Sequence, residues 1–237
     1  MARAAAPLTN QLLDRLPAKD RGRFINACDR VELEFEQVLD QPGNVIGHVY
    51  FPLGGWISLL APIGKTGTLE VALAGNEGMY GLPAAFGIER SPVRALVQGA
   101  GPAYRIKPAA FRSQLARAPT LATSIGRYSH VVMSQVMQTA GCNRFHKVEQ
   151  RLARWLLMTA DRAYSLTLRI THEFLAHMLG VRRVGITQAA GALQRKGLIS
   201  YSRGVLNILD RKGLERAACA CYRADVATYA KAFSRPA

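Results

Sequence analysis

The apolar positions of this chain change their rhythm several times along its length. Near the start, Leu8, Leu12, Leu13 and Leu16 recur at helical spacing before Pro17, which predicts a short helical lead-in over 8–29. From 31 to about 107 the pattern becomes one of short apolar runs: VELEFEQVL, NVIGHVYF, WISLLAPI, LEVALAG, RALVQGA and AYRIK. Turn signals such as Gln41-Pro42-Gly43 and Gly54-Gly55 separate them, and 12 of the 21 glycines lie between 43 and 101. Many short strands punctuated by glycine and proline predict an antiparallel, jelly-roll-like β-roll.

Residues 109–140 return to helical periodicity. Leu121, Ile125, Tyr128, Val132, Val136 and Thr139 step by three or four and form a narrow apolar stripe. Such a stripe packs on its own domain or forms a seam between two chains. With little chain left to cover it, a dimer seam over 115–140 is expected. A second amphipathic helix is predicted over 144–164, with Val148, Leu152, Trp155, Leu156 and Thr159 on one side. Residues 171–179, 182–196 and 198–209 then read as helix, helix and β-hairpin.

Composition narrows the class. At 237 residues the chain suits two small domains or one large one, and 49% hydrophobic with 20% charged residues argues against wholesale disorder. No apolar run reaches the 18 residues of a membrane span, and the first residues lack the apolar stretch of a secretory signal. Four scattered cysteines, Cys28, Cys142, Cys219 and Cys221, make no disulfide framework and suggest free thiols in a reducing cytoplasm.

Charge adds a partner. Lys+Arg 31 against Asp+Glu 16 gives +15, which points to a polyanion. The excess is uneven: residues 144–237 hold 17 basic and 6 acidic residues, net +11, and residues 1–143 hold 14 and 10, net +4.

The basic third also holds the informative motif. Thr171 is a natural N-cap, and Phe174, Leu175, Met178 and Leu179 give the following helix a buried face. Gly180 permits the left-handed turn that a helix-turn-helix requires. At about 100° per residue, Ile186, Ala189, Ala190 and Leu193 of the second helix fall on one face. Val184, Thr187, Gln188, Gly191 and Arg195 fall opposite, flanked by Arg183 and Gln194. That outward face lacks carboxylates and carries residue types that read base edges, with Arg182 and Arg183 in its first turn. Two short strands around Arg203-Gly204 follow as a wing whose cation could meet a phosphate.

From Thr171 to about Ala218 the chain closely resembles the winged helix-turn-helix of the Crp/Fnr family of bacterial regulators. The shared marks are Leu-Gly at 179–180, Gly-Leu-Ile at 197–199, Arg-Gly at 203–204 and Asp210 with Leu214-Glu215. Gln41-Pro-Gly-Asn, His48-Val-Tyr-Phe-Pro52, Gly55 and Gly78-Met-Tyr-Gly81 resemble that family's sensory β-roll. The resemblance implies an α+β fold with a sensory roll over 1–110, a dimerisation helix over 111–142 and a winged helix-turn-helix DNA-binding domain over 143–237. It implies a homodimer on double-stranded DNA, RNA polymerase as a further partner, an unidentified small-molecule effector and no cofactor. It places base reading on Arg183, Val184 and Gln188, and backbone contacts on Thr171, His172 and the wing. Arg182 stands where the family commonly has a serine cap, and Val184 where many members have a glutamate. A half-site other than the best-known one follows.

The family's cyclic-nucleotide site needs a glutamate just after a glycine, and an Arg-Ser or Arg-Thr pair for the cyclic phosphate. Here Gly81 is followed by Leu82 and Pro83, which accept no hydroxyl hydrogen bond. Arg90-Ser91 precedes Pro92, with Arg94 close by. Gly81, Leu82, Arg90, Ser91, Arg94 and Tyr128 therefore form a candidate pocket, for a ligand other than cyclic AMP or for none. An iron–sulfur sensor would need a cysteine cluster that the N-terminal half lacks. Cys142 with His146 at i, i+4, His172 with His177, and Cys219-x-Cys221 are each only pairs, and two ligands do not make a metal site. No metal site is expected, and haem through His48 or His130 has little support.

Two rival classes remain. An enzyme could use Ser129-His130, Glu70 and Glu77, but no nucleophile elbow, phosphate loop or HExxH is present in the sequence. A ligand-binding or scaffold module could use the winged helix for protein or RNA contact. An apolar outward face on the second helix would favour that, whereas the face read here is basic and polar.

Overall fold

The lead-in forms two short helices rather than one, α1 (Gln11–Asp14) and α2 (Ala18–Asn26). Pro17 between them lacks the amide that would continue the first. Asn10 caps α1, its Oδ1 accepting from the amides of Leu12 and Leu13 at 3.1 and 3.3 Å. Its Nδ2 donates to the carbonyls of Pro52 at 2.9 Å and Gly78 at 2.8 Å, so this buried side chain ties the lead-in to the end of one strand and to one loop of the roll.

This computed structural model describes residues 8–64 and 67–234. It divides into one unit of Met1–Leu59 with Leu73–Ser129, and another of Leu60–Ala72 with His130–Ala237. The strands of the roll are β1 (Asp29–Leu33), β2 (Val38–Asp40), β3 (Val49–Pro52), β4 (Trp56–Ile63), β5 (Gly67–Ala74), β6 (Arg94–Gly99) and β7 (Gly101–Ile106). They form two sheets, of order β1-β7-β3 and β2-β6-β4-β5. The first run of apolar residues thus splits into β1 and β2, with Glu36 in the left-handed region (φ 64°) at the break. A cluster of Leu33, Tyr50, Ile57, Tyr80, Ala95, Val97 and Ala103 fills the roll.

The single helix expected over 109–140 is two helices, α3 (Pro108–Arg117) and α4 (Pro119–Phe145). Ala118 breaks them at φ −131° and ψ 88°. A residue before proline is sterically driven out of the helical region, and Pro119 suits the first turn of a new helix. The apolar stripe also divides. Leu121, Ile125 and Tyr128 are buried within the first unit, whereas Met133, Val136 and Met137 are exposed. Tyr128 lies so close to Gly78 that a Cβ there would sit 2.1 Å from the phenol ring, so only glycine fits.

The second unit is built on α5 (Val148–Ala163). Around it stand β8 (Thr167–Arg169), α6 (His172–Leu179), α7 (Arg183–Arg195), β9 (Ile199–Ser202), β10 (Val205–Ile208), α8 (Arg211–Ala217) and α9 (Ala220–Ala232). The wing is a three-stranded antiparallel sheet of order β8-β10-β9, in which β8 adds a strand that the sequence pattern did not single out. Trp155 of α5 packs edge-on against Phe174 of α6, and its indole donates to Glu70 Oε1 at 2.7 Å. The chain is thus α+β with antiparallel sheets and a C-terminal helix-turn-helix. Among the described residues no helix is long and apolar enough to cross a membrane.

Three rings hold the helices of the first unit to its sheet. Phe24 of α2, Phe51 of β3 and Phe111 of α3 meet edge to face, with centroids 5.1, 6.4 and 5.9 Å apart, and all three are buried. Edge-to-face pairs gain beyond area burial because ring edges are positive and faces negative. Phe111→Ala should therefore destabilise this unit by about 3–5 kcal/mol. Phe86→Ala, at an exposed ring, should stay within about 0.5 kcal/mol of the parent. Denaturant titration of both variants checks this, and equal effects would contradict the assignment.

Candidate nucleic-acid interface

The second helix of the helix-turn-helix is held by its neighbour. Thr171 caps α6 by accepting from the Phe174 amide at 3.1 Å. The helix ends at Gly180, left-handed at φ 61°, where the Val181 amide reaches back to the Ala176 carbonyl at 3.0 Å. The left-handed backbone favours glycine here, and an added Cβ would lie 2.7 Å from the end of the Leu69 side chain, which would have to shift.

The second helix, α7, buries Ile186, Ala189, Ala190 and Leu193, the four residues that the periodicity turns inward. Arg182 is its N-cap and Arg183 its first residue, and both are exposed. Val184, Thr187 and Gln188 share the exposed side, Val184 at 60%. The Thr187 hydroxyl donates to the Arg183 carbonyl at 3.1 Å, so it is partly engaged with its own helix. Among the described residues of α7 there is no carboxylate to oppose an anion.

The wing turn is tight. Arg203 (φ 49°) and Gly204 (φ 77°) are both left-handed, as a two-residue turn between twisted antiparallel strands requires. This places the Arg203 side chain, exposed, at the tip between β9 and β10.

Thr171, His172, Glu173, Arg183, Tyr201, Arg203 and Gly204 line one cavity of about 420 Å³. Two sequence-predicted cations, the start of α6 and the wing tip thereby face one space. His172 joins its walls: its ring stacks on Tyr201 with centroids 4.3 Å apart, and its Nδ1 lies 3.0 Å from Thr187 Oγ1. Burial, and behind it the Arg183 cation, hold the imidazole below its ordinary value, so it is neutral near pH 7. Tyr201 is the residue that sequence reasoning missed. Its place on the first strand of a hairpin beside a recognition helix was the available signal. Glu173 is the one acid of this lining, at the first turn of α6.

The candidate pocket of the roll is organised differently. Gly81, left-handed at φ 92°, starts a 3₁₀ turn over Leu82–Phe86. Ser91 is buried and bonds inside the protein, to the Val93 carbonyl at 2.8 Å and to the Tyr80 hydroxyl at 3.2 Å. Tyr80 in turn donates to Asp40 at 2.8 Å. Burial pushes the Asp40 carboxyl up against the opposing effect of that hydrogen bond. Arg90 is exposed and donates to the Gly43 carbonyl at 2.7 Å. Tyr128 donates to the Met79 carbonyl at 3.4 Å. Arg94 opens β6, half-buried, with its Nε lacking a hydrogen-bond partner among the described atoms. Protein groups thus occupy Ser91, Arg90 and Tyr128. Glu70, which a catalytic reading would have used, is buried as the acceptor of Trp155.

Residues 150–217 match the Crp-like helix-turn-helix domain family. No curated protein matches the chain. Among solved structures it is similar to the c-di-GMP responsive global regulator CLP of Xanthomonas campestris. That likeness has TM-score 0.68 and 18% identity, covering 82% of this chain and 100% of that one. It is also similar to FixK2 of Bradyrhizobium japonicum, at TM-score 0.69 and 11% identity over 81% and 98% of the two chains. A transcriptional regulator of the CRP/FNR family from Thermus thermophilus matches at TM-score 0.56 and 25% identity, over 80% and 98%. Residues 150–217 thus carry a Crp-like helix-turn-helix domain, and the chain shares the fold of these regulators.

Proposed function

We propose that the chain is a cytoplasmic, sequence-specific DNA-binding regulator that acts as a homodimer on an inverted repeat. The observation that carries this reading is the shared cavity of Arg183, Arg203 and the start of α6, beside an α7 face without acids. A phosphate fits that space beside the Arg203 guanidinium and the positive end of α6, with the neutral His172 imidazole stacked on Tyr201 as a rigid wall, and Arg183 reaches past it toward a base edge. Val184 and Gln188 then lie over base edges, with Arg182 and Thr187 beside them. We assign 1–110 to a sensory roll, 111–142 to dimerisation and 143–237 to DNA binding, with RNA polymerase as the further partner.

One recognition helix reads too few base pairs for a genomic site, so a second copy is required. Met133, Val136 and Met137 supply the seam, since they recur at i, i+3, i+4 on the exposed side of α4. Such a dimer would bind half-sites centred about 34–36 Å apart. Sedimentation should show a dimer at micromolar concentration and a monomer for the Met133→Asp, Met137→Lys double variant. A parent chain that stays monomeric alone and on DNA would overturn the arrangement.

In the roll, the hydrogen-bonded Ser91, Arg90 and Tyr128 and the apolar Leu82 leave a cyclic nucleotide no partner for its ribose and only Arg94 for its phosphate. Calorimetry with cyclic AMP and cyclic GMP should show no saturable binding below about 1 mM. A micromolar signal lost in Arg94→Ala would contradict this and point to a nucleotide effector.

Arg183 and Arg203 have different tasks in this scheme. Arg183→Ala should cost about 1–3 kcal/mol on the best site and relax preference at one base pair. Arg203→Ala should weaken all sequences alike and lower the salt slope by about one per subunit. Titrations against specific and scrambled duplexes at several salt concentrations separate the two. Equal loss on both duplexes for Arg183→Ala would remove α7 as the reading helix.

A further inference from the structure

Cys142 lies in the last turn of α4 and His146 just past its end, and Cys219 and Cys221 open α9, Cys219 standing 77 residues after Cys142. The fold brings all four together. Cys142 Sγ lies 3.5 Å from Cys219 Sγ, and Cys221 Sγ lies 3.5 Å from His146 Nδ1. One ligand atom from each residue falls within 4.8 Å of every other. The three cysteines are buried and pack on one another, and His146 is half-buried at their edge.

We propose that Cys142, His146, Cys219 and Cys221 form a binding site for one zinc-class ion. Three thiolates and an imidazole are the donor set of a structural zinc centre, and such centres are tetrahedral. With bonds of about 2.3 Å to sulfur and 2.0 Å to nitrogen, the edges of that tetrahedron are about 3.5–3.8 Å long. Both measured separations fall on such an edge, and the others need only small side-chain rotations. An iron–sulfur cluster would place several irons between the thiolates and hold the sulfurs much farther apart.

The surroundings suit the charge. An ion of +2 with three thiolates and a neutral imidazole carries −1, and Arg154 lies against Cys142 while also pairing with Asp225 at 2.7 Å. The Gln138 amide donates to Cys221 Sγ at 2.9 Å, a contact that favours an anionic sulfur and holds it in place. Thiol ligands remain available in a reducing compartment.

The ion would join two segments that flank α5 to α8, which include the whole helix-turn-helix. Closing that loop removes conformational freedom from the unfolded chain, so metal and folding free energy become linked. The loop tie also fixes α9 against the end of α4.

The test uses the full chain, reduced and stripped of metal by a chelator. Zinc is titrated in competition with a chromophoric chelator, and cobalt(II) is titrated separately and followed by its visible spectrum. One ion per chain is expected, with the intense bands of tetrahedral, thiolate-bound cobalt. Cys28→Ser, far in sequence from the cluster, should leave the stoichiometry and spectrum unchanged. Cys219→Ser and His146→Ala should each weaken zinc binding by more than about tenfold. Should either variant fail to fold, the cobalt spectrum of the parent still decides. Absent uptake, an octahedral cobalt spectrum, or undiminished binding in a folded Cys219→Ser variant would each overturn the proposal.

Discussion

The second unit depends on a helix that has no solvent-facing side over most of its length. In α5, ten consecutive residues from Arg151 to Ala160 are buried, two of them arginines. A guanidinium removed from water must be paired or hydrogen-bonded, and each of these pairs fixes a neighbour. Arg151 donates to the Leu179 carbonyl at the end of α6, a group left open by the helix terminus. Arg154 pairs with Asp225 of α9 and donates to Thr139 of α4. Trp155 engages Phe174 of α6 and Glu70 of the β5 hairpin. The polar demands of one helix thereby set where α6, α9 and the end of α4 stand.

That placement is what gives the exposed side of α7 and the wing their definition. With the end of α6 anchored through Leu179 and its exit turned by Gly180, α7 leaves at a fixed angle and shows Val184 and Gln188 outward. The wing is fixed from the other side by the His172–Tyr201 stack and by Arg203 in its left-handed turn. Arg182, Arg183 and Arg203 are exposed on this rigidly packed frame. Surface arginines held by such turns lose less freedom on meeting a phosphate than mobile ones do.

The roll shows the opposite economy. Tyr80, Asp40 and Ser91 satisfy one another in the interior, and Arg90 reaches only a neighbouring carbonyl. A closed polar network costs little to keep and leaves little for a ligand to replace. The two ends of α4 also differ in kind. Its first turns are buried in the first unit by Leu121, Ile125 and Tyr128, and its exposed apolar residues begin only at Met133.

Much of this was legible in the sequence because it is local. Short apolar runs set off by glycine and proline marked the strands, the cap at Thr171 and the left-handed Gly180 marked the helix-turn-helix, and angular spacing alone turned Ile186, Ala189, Ala190 and Leu193 inward. Pro119 was there to be read as a break between two helices, yet the unbroken apolar rhythm around it concealed the restriction it imposes on Ala118. Other features were beyond any local rule. Tyr201 meets His172 from 29 positions further along the chain, and Glu70 meets Trp155 across a longer gap, so only the folded chain pairs them. Cys142 and His146 looked like one pair and Cys219 and Cys221 like another, since spacing reports only neighbours on the same element. Local chemistry determined which elements form and which faces they bury, whereas the packing of α9 against the end of α4 alone decided that four metal-binding side chains share one point, because distance along the chain carries no record of distance in space.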